Sequence, residues 1–139
     1  MADMDDIALK VQEVTQAIEG AGDVRLGGVR SASKDDIYIL LSDITPEHGP
    51  SWTRYLYTFL IRWALGASDY EEAEMNILKI VAKVMAAFIA ATKVKSVVSD
   101  GHALIMAVDA DFTVINGIAH RHVDFVLEIS DRVVSEYTA

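Results

Sequence analysis

The segment from Trp52 to Leu65, WTRYLYTFLIRWAL, constrains the fold more than any other part of the sequence. As a helix, it would carry large apolar side chains on every side and no polar stripe. As a strand, it would place every second residue on the same face. One face would then hold Tyr55, Tyr57, Phe59, Ile61 and Trp63, and the other Arg54, Leu56, Thr58, Leu60 and Arg62. This alternation, with its aromatic content, predicts a β-strand.

Two segments on either side of this strand have helical periodicity. Residues 5–20 repeat apolar positions at spacings of four, three and four, and the repeated residues are Ile7, Val11, Val14 and Ile18. Residues 69–92 begin with several glutamates, which suit the positive end of a helix dipole. The apolar face of this second helix is wider than contact with one sheet requires. It therefore predicts a helix buried on two sides or packed against a partner chain.

Other short segments indicate strands and turns. Strands are predicted at 24–31 and 36–44, and a loop is predicted at 45–50, which holds both prolines of the chain. The pair Asp100-Gly101 lies between two β-rich runs, 94–98 and 103–108, and predicts a hairpin.

The end of the chain has a helical pattern. Residues 109–113 are predicted to turn the chain, and Asn116 is predicted to cap a last helix that runs to about Tyr137. The apolar positions of that helix form one stripe: Ile118, Phe125, Val126, Ile129, Val133 and Tyr137.

The predicted order of elements is α-β-β-β-α-β-β-α, within one α+β domain over residues 1–139. Helices would pack on an antiparallel sheet. A regular βαβ alternation is absent, which disfavours a doubly wound nucleotide-binding fold.

Charge and composition exclude several classes of function. The chain has 12 Lys and Arg against 21 Asp and Glu, a net charge of −9, so nucleic-acid binding is not expected. It has no cysteine, which excludes a disulfide framework and a thiolate nucleophile. Met1–Asp6 has no basic residue for a signal peptide, and Val81–Ala91 is too short to span a bilayer. We therefore expect a cytoplasmic protein without a membrane partner.

Residue types that could carry chemistry do not form a recognisable site. The chain has four histidines: His48, His102, His120 and His122. His120 and His122 are two residues apart, so on the predicted helix their side chains would point to different faces. Asp109 and Asp111 lack the glycine and the distant glutamate of a calcium loop. Gly20-Ala-Gly22 begins no phosphate-binding motif. The sequence predicts no catalytic residue, no metal site and no cofactor.

The apolar surplus indicates where binding would occur. The aromatic face of residues 52–65 is predicted to be core or a protein interface, and the partner-binding candidates on it are Tyr55, Tyr57, Phe59 and Trp63. The helix at 69–92 is predicted to supply a homodimer contact through some of Leu78, Val81, Met85 and Phe88.

The order of elements resembles the type III secretion chaperone-like fold, which the YbjN family of sensory transduction regulators shares. The local resemblance is best from Phe88 to Val134, through KVKSVVSDGHALIMAVDADF and the segment after it. The first helix, Gly27-Gly28 and the loop at 45–50 match no specific feature of that family. The resemblance implies a homodimer, often formed through the central helix, that binds a protein segment and has no catalytic residues.

The sequence thus leads to one principal hypothesis and two alternatives. The first is a non-catalytic, homodimeric protein-binding module, either chaperone-like or regulatory. The second is a small-ligand sensor whose pocket is lined by residues 52–65, and the third is a roadblock-like dimer platform. Nothing in the sequence identifies the partner or the pathway.

Overall fold

The computed structural model describes residues 4–27, 35–66, 70–89 and 103–134. Their elements, in chain order, are α1 (Met4–Gln16), β1 (Val24–Leu26), β2 (Ile37–His48), β3 (Trp52–Gly66), α2 (Tyr70–Ile89), β4 (Ala103–Ile115) and β5 (Ile118–Val134). The chain is therefore an α+β protein, and its order α-β-β-β-α-β-β is roughly the predicted one: β4 begins with the predicted strand 103–108, whereas β5 replaces the predicted last helix. The predicted strand at 94–98 and the Asp100-Gly101 hairpin turn lie outside the described residues.

The five strands form one sheet in the order β1-β2-β3-β5-β4. Strand β1 pairs with β2 in parallel, and the other three pairings are antiparallel. The two hairpins, β2–β3 and β4–β5, meet along β3 and β5 at the centre of the sheet. Strand β4 lies at one edge, and the three-residue strand β1 lies at the other.

Both helices contribute to one core with a single face of the sheet. The predicted stripe of α1 is confirmed, because Ile7, Val11, Val14 and Ile18 are all buried. On α2, the buried positions recur every four residues at Ile80, Val84 and Phe88. The strands bury alternate residues against these helices, among them Ile37, Ile39, Phe59, Ile61, Trp63, Val123, Phe125, Leu127 and Ile129. We call this side of the sheet the first face, and the side formed by the intervening residues the second face.

The prediction of a loop at 45–50 was wrong for most of that range. Strand β2 continues through His48, and the turn is closed by Gly49 N–H donating to the Trp52 carbonyl oxygen at 2.8 Å. Proline is tolerated within this strand because, among the described strands, β1 pairs with β2 only as far as Ile39, so at Pro46 the one described neighbour of β2 is β3.

The predictions for the end of the chain were also wrong. Residues 109–113 do not turn but lie within β4, and the predicted last helix is strand β5 as far as Val134. The turn lies instead at Asn116 and Gly117, whose φ angles are 52° and 78°. Two successive positive φ angles fit a tight type I′ hairpin turn, for which Asn-Gly is the preferred pair.

Candidate interaction surfaces

The aromatic residues proposed for partner binding lie mainly in the core. Tyr57, Phe59 and Trp63 are at most 3% exposed, and Tyr55 packs at the margin of the same cluster. Trp63 Nε1 donates a hydrogen bond to Asp35 Oδ1 at 3.0 Å, so its polar edge is also satisfied within the chain. In this conformation the three buried side chains are not available to a partner, because they fill the space between the sheet and the helices.

The electrostatics of Tyr57 agree with this placement. Burial raises the pKa of its hydroxyl, and the negative charge of nearby Asp131 raises the pKa further. A shallow surface groove lies elsewhere, along the first half of α2, and its lining includes none of the aromatic residues of β3. The residues that line it are Glu71, Glu72, Met75, Asn76 and Lys79.

The four residues proposed for a dimer contact divide between core and surface. Phe88 is 1% exposed, so its assignment to a dimer contact was wrong: it packs under α2 against the sheet. Val81 and Met85 are half-buried at the sides of the helix. Leu78 is 76% exposed, so its side chain lies on the surface of the helix.

Leu78 belongs to a row of exposed apolar residues along the outer side of α2. The row recurs at spacings of three, four, four and three, and we name it the α2 stripe: Met75, Leu78, Ala82, Ala86 and Ile89. Met75 and Ile89 are 65% and 72% exposed. Lys83 lies next to the stripe on α2, and its Nζ donates a hydrogen bond to the carbonyl oxygen of Glu19, just after α1. The side of α2 that carries Lys83 therefore faces α1, and the stripe faces outward.

The opposite flank of α2 is fastened to the β4–β5 hairpin. Arg121 Nη2 lies 2.7 Å from Glu74 Oε1, and the same guanidinium sits 4.5 Å from the centre of the Phe112 ring. Both contacts place the beginning of α2 beside the edge strand β4. The beginning of α2 and the edge strand are therefore neighbours on the first face.

The second face of the sheet carries an apolar row across its four long strands. Leu40, Leu60, Val126 and Ala107 are successive register neighbours on β2, β3, β5 and β4. The first three are half-buried and Ala107 is exposed. Half-buried aliphatic side chains beside polar rows are typical of a sheet face that can receive another chain.

A polar cluster borders this apolar row. Arg62 Nε donates to Asp124 Oδ1 at 2.8 Å and Arg62 Nη2 donates to Oδ2 at 3.0 Å, a bidentate pair. This hydrogen bond and the carboxylate charge raise the pKa of Arg62. His122 Nδ1 lies 3.1 Å from Asp124 Oδ1. Because a carboxylate only accepts, Nδ1 must carry the proton, and the cluster fixes the imidazole tautomer.

His122 is buried, with 5% of its surface exposed. Burial lowers the pKa of its imidazole, and the attraction of Asp124 offsets that effect only in part. The prediction that His120 and His122 point to different faces was wrong, because residues two apart on strand β5 share a face. Within the described ranges, no group of three or more His, Cys, Asp or Glu side chains is arranged to hold a metal ion.

The sequence predicted the first part of strand β4, at 103–108, and missed its continuation to Ile115. The strand runs for 13 residues at the edge of the sheet, and only β5 pairs with it among the described strands. Five of its apolar side chains are at least 39% exposed: Leu104, Met106, Val108, Phe112 and Val114. The signal that could have found it is Asn116-Gly117, a stronger hairpin turn than the helix cap that was predicted there.

No protein-family model matches this sequence, and no curated protein matches it. Of the helices that the described residues form, neither is long and apolar enough to cross a membrane. Functional reasoning therefore depends on the surfaces themselves, which are the α2 stripe, the second face of the sheet and the β4 edge.

Proposed function

We propose that the protein is a non-catalytic protein-binding module that acts as a cytoplasmic homodimer, with a chaperone-like or regulatory role. The observation that carries the proposal is the α2 stripe, an exposed apolar row on a helix whose other sides are already packed or polar. A type III secretion chaperone-like or YbjN-like assignment belongs to the same proposal. The observed order of elements supports it as far as β4, and strand β5, which occupies the place of the predicted last helix, departs from it.

The spacing of the α2 stripe suits contact with a second copy of itself. Ala82 lies at its centre, with Leu78 and Ala86 four residues to either side and Met75 and Ile89 seven residues to either side. A two-fold axis at Ala82 would therefore pair Leu78 with the partner's Ala86, and Met75 with the partner's Ile89. A large residue would meet a small one at each Leu78, as ridges-into-grooves packing requires.

Charge favours the same antiparallel arrangement. Glu71, Glu72 and Glu74 all lie in the first turns of α2. Parallel helices would bring these carboxylates together with their counterparts, whereas antiparallel helices place them at opposite ends of the contact. The apolar row of the second face lies away from this contact, because α2 lies on the first face.

Sizing by light scattering tests the dimer directly. Wild type is expected at twice the chain mass of 15.2 kDa at micromolar concentration. Leu78→Glu is expected to give a folded monomer, because the carboxylate would be buried opposite an alanine. Leu9→Glu is the matched control, since Leu9 is a 51% exposed leucine on α1. A monomeric wild type, or equal dissociation by both substitutions, would contradict the proposal.

A further inference from the structure

We propose that the free edge of β4 binds an extended segment of a partner protein, and that this segment carries a lysine or arginine between apolar residues. The segment would add a strand to the sheet beside β4. This inference rests on the proposed protein-binding function and identifies the chemistry of the partner. It uses a different surface from the α2 stripe, so the two can be tested apart.

The first support is the length of β4, with which only β5 pairs among the described strands. An edge strand presents a row of N–H and C=O groups that another chain can pair with, and natural sheets blunt such an edge with charged side chains, especially Lys, with Pro, with a bulge or with a very short strand. The opposite edge follows that rule, since β1 has three residues. The charged residues of β4 are Asp109 and Asp111. Between Ala103 and Ile115 there is no Lys, Arg or Pro. A bulge interrupts the register between Ile105 and Ala107, and the pairing is regular from Ala107 to Ile115.

The second support is the apolar character of that regular stretch. Val108 and Phe112 are exposed on the first face, beside α2, which packs over β4. An added strand with apolar residues at alternate positions would cover them, as in other cases of strand addition. Main-chain hydrogen bonds would supply affinity, and these side chains would select an apolar sequence.

The third support is an incomplete row of charges on the second face. Asp109 of β4 lies directly opposite Asp124 of β5, which in turn lies opposite Arg62 of β3. Arg62 uses both donors on Asp124, and Asp109 is exposed and forms no ion pair with any of the described residues. Like charges directly opposite each other destabilise a sheet. A cation on an added strand, next to Asp109, would relieve this repulsion.

The same charges disfavour a second copy at this edge. Antiparallel pairing of β4 with its counterpart over Ala107–Ile115 would be centred on Asp111 and would place it opposite the partner's Asp111. Asp111 Oδ1 already accepts a hydrogen bond from the backbone N–H of Phe112 at 2.8 Å. A heterologous segment with a positive charge avoids this repulsion, so it is the occupant that the edge favours.

Fluorescence anisotropy with synthetic peptides tests the inference. The probe is a short labelled peptide of alternating valine and threonine with one central lysine, and the matched probe has glutamate at that position. Wild type is expected to bind the lysine peptide about tenfold more tightly than the glutamate peptide. Asp109→Lys is expected to reverse this preference. Glu47→Lys is the control, because it makes the same charge change at an exposed residue of β2 and should leave the preference unchanged.

Each outcome decides between the two proposals. If wild type binds neither peptide, or Asp109→Lys leaves the preference intact, strand addition at β4 is wrong, whatever the oligomeric state. If wild type binds the lysine peptide but is a monomer by light scattering, strand addition stands and the dimer is wrong. Leu78→Glu is expected to bind the lysine peptide with unchanged affinity per chain, because Leu78 belongs to α2 and supplies none of the backbone or charge that the peptide would meet on β4.

Discussion

Exchanging a large and a small residue on α2 tests where the two-fold axis lies. Leu78→Ala removes the largest contact of the proposed interface, and it should not impair folding because Leu78 is 76% exposed. The two-fold symmetry repeats the loss in each copy. Ala86→Leu makes the opposite change, since it would place a leucine against the partner's Leu78, where there is room for an alanine.

The size of the effect follows from the exposed area. Complete burial of a leucine side chain contributes about 1.5–3 kcal/mol. With 76% of Leu78 available for burial and two copies per dimer, Leu78→Ala should weaken dimerisation by roughly 2–5 kcal/mol. That corresponds to an increase in Kd of about 30- to 5,000-fold. Ala86→Leu should also weaken the dimer, through overpacking at two symmetric positions.

Analytical ultracentrifugation over a dilution series gives the Kd of each variant. The double variant Leu78→Ala/Ala86→Leu restores one large and one small residue at each contact, so its Kd should return to within about tenfold of wild type. Two results would contradict this arrangement of the dimer. If Leu78→Ala leaves the Kd unchanged, Leu78 is outside the interface. If the double variant is as weak as the two single effects added together, the axis does not pass through Ala82.

Three further predictions concern the sheet. Gly117→Ala should lower the free energy of unfolding in urea by about 1–2 kcal/mol, because the φ angle of Gly117 is 78° and alanine disfavours that region. Asn116→Gly should leave the free energy of unfolding nearly unchanged. If Gly117→Ala stabilised the protein, a helix at this position would be favoured instead of the turn. Arg62→Met should lower the free energy of unfolding by about 1–3 kcal/mol, because it leaves Asp124 without its bidentate partner. An unchanged midpoint of urea unfolding would contradict this prediction. The pKa of His122 is lowered in the folded protein, so as the pH falls the unfolded chain binds a proton at this histidine before the folded chain does. The free energy of unfolding should therefore decrease as the pH drops below 6.5, and His122→Gln should weaken this dependence. If the wild type and His122→Gln had the same pH profile of stability, the prediction would be contradicted.

Elements with one dominant local period were predictable from sequence. The stripe of α1 and the alternation of β3 each fit a single secondary structure, because the wrong assignment would leave large apolar residues in water. The faces of β3 were also correct, and Phe59, Ile61 and Trp63 are buried together. What the sequence could not decide was whether an aromatic face was core or interface, because the helices that cover it come from distant segments.

Strand β5 shows where periodicity is ambiguous. Its apolar residues fit a helical stripe, yet Val123, Phe125, Leu127 and Ile129 also alternate, and these four are fully buried. Pairing with β3 on one side and β4 on the other decides between the two patterns, and neither pairing is local. Asn116-Gly117 was the local signal that could have changed the prediction, since it demands positive φ at both positions.

The surfaces were harder to predict than the fold because neighbouring residues on one helix face different surroundings. Leu78 and Phe88 were assigned the same role, but α2 turns Phe88 toward the sheet and Leu78 toward solvent. Likewise, Asp109 and Asp124 are distant in sequence, and their juxtaposition depends on the register of the β4–β5 hairpin. Charge rows of this kind become visible only when the strand order is known.

The two proposed surfaces lie on elements that are neighbours in the structure. The α2 stripe is the exposed row of α2, and Arg121 of β5 contacts both Glu74 of α2 and Phe112 of β4. A dimer built on α2 would therefore bring two β4 edges into one particle. A partner with two suitable segments would then bind more tightly than either segment alone, because the second binding event becomes intramolecular. This gives the exposed helix a role in binding even though the partner never touches it.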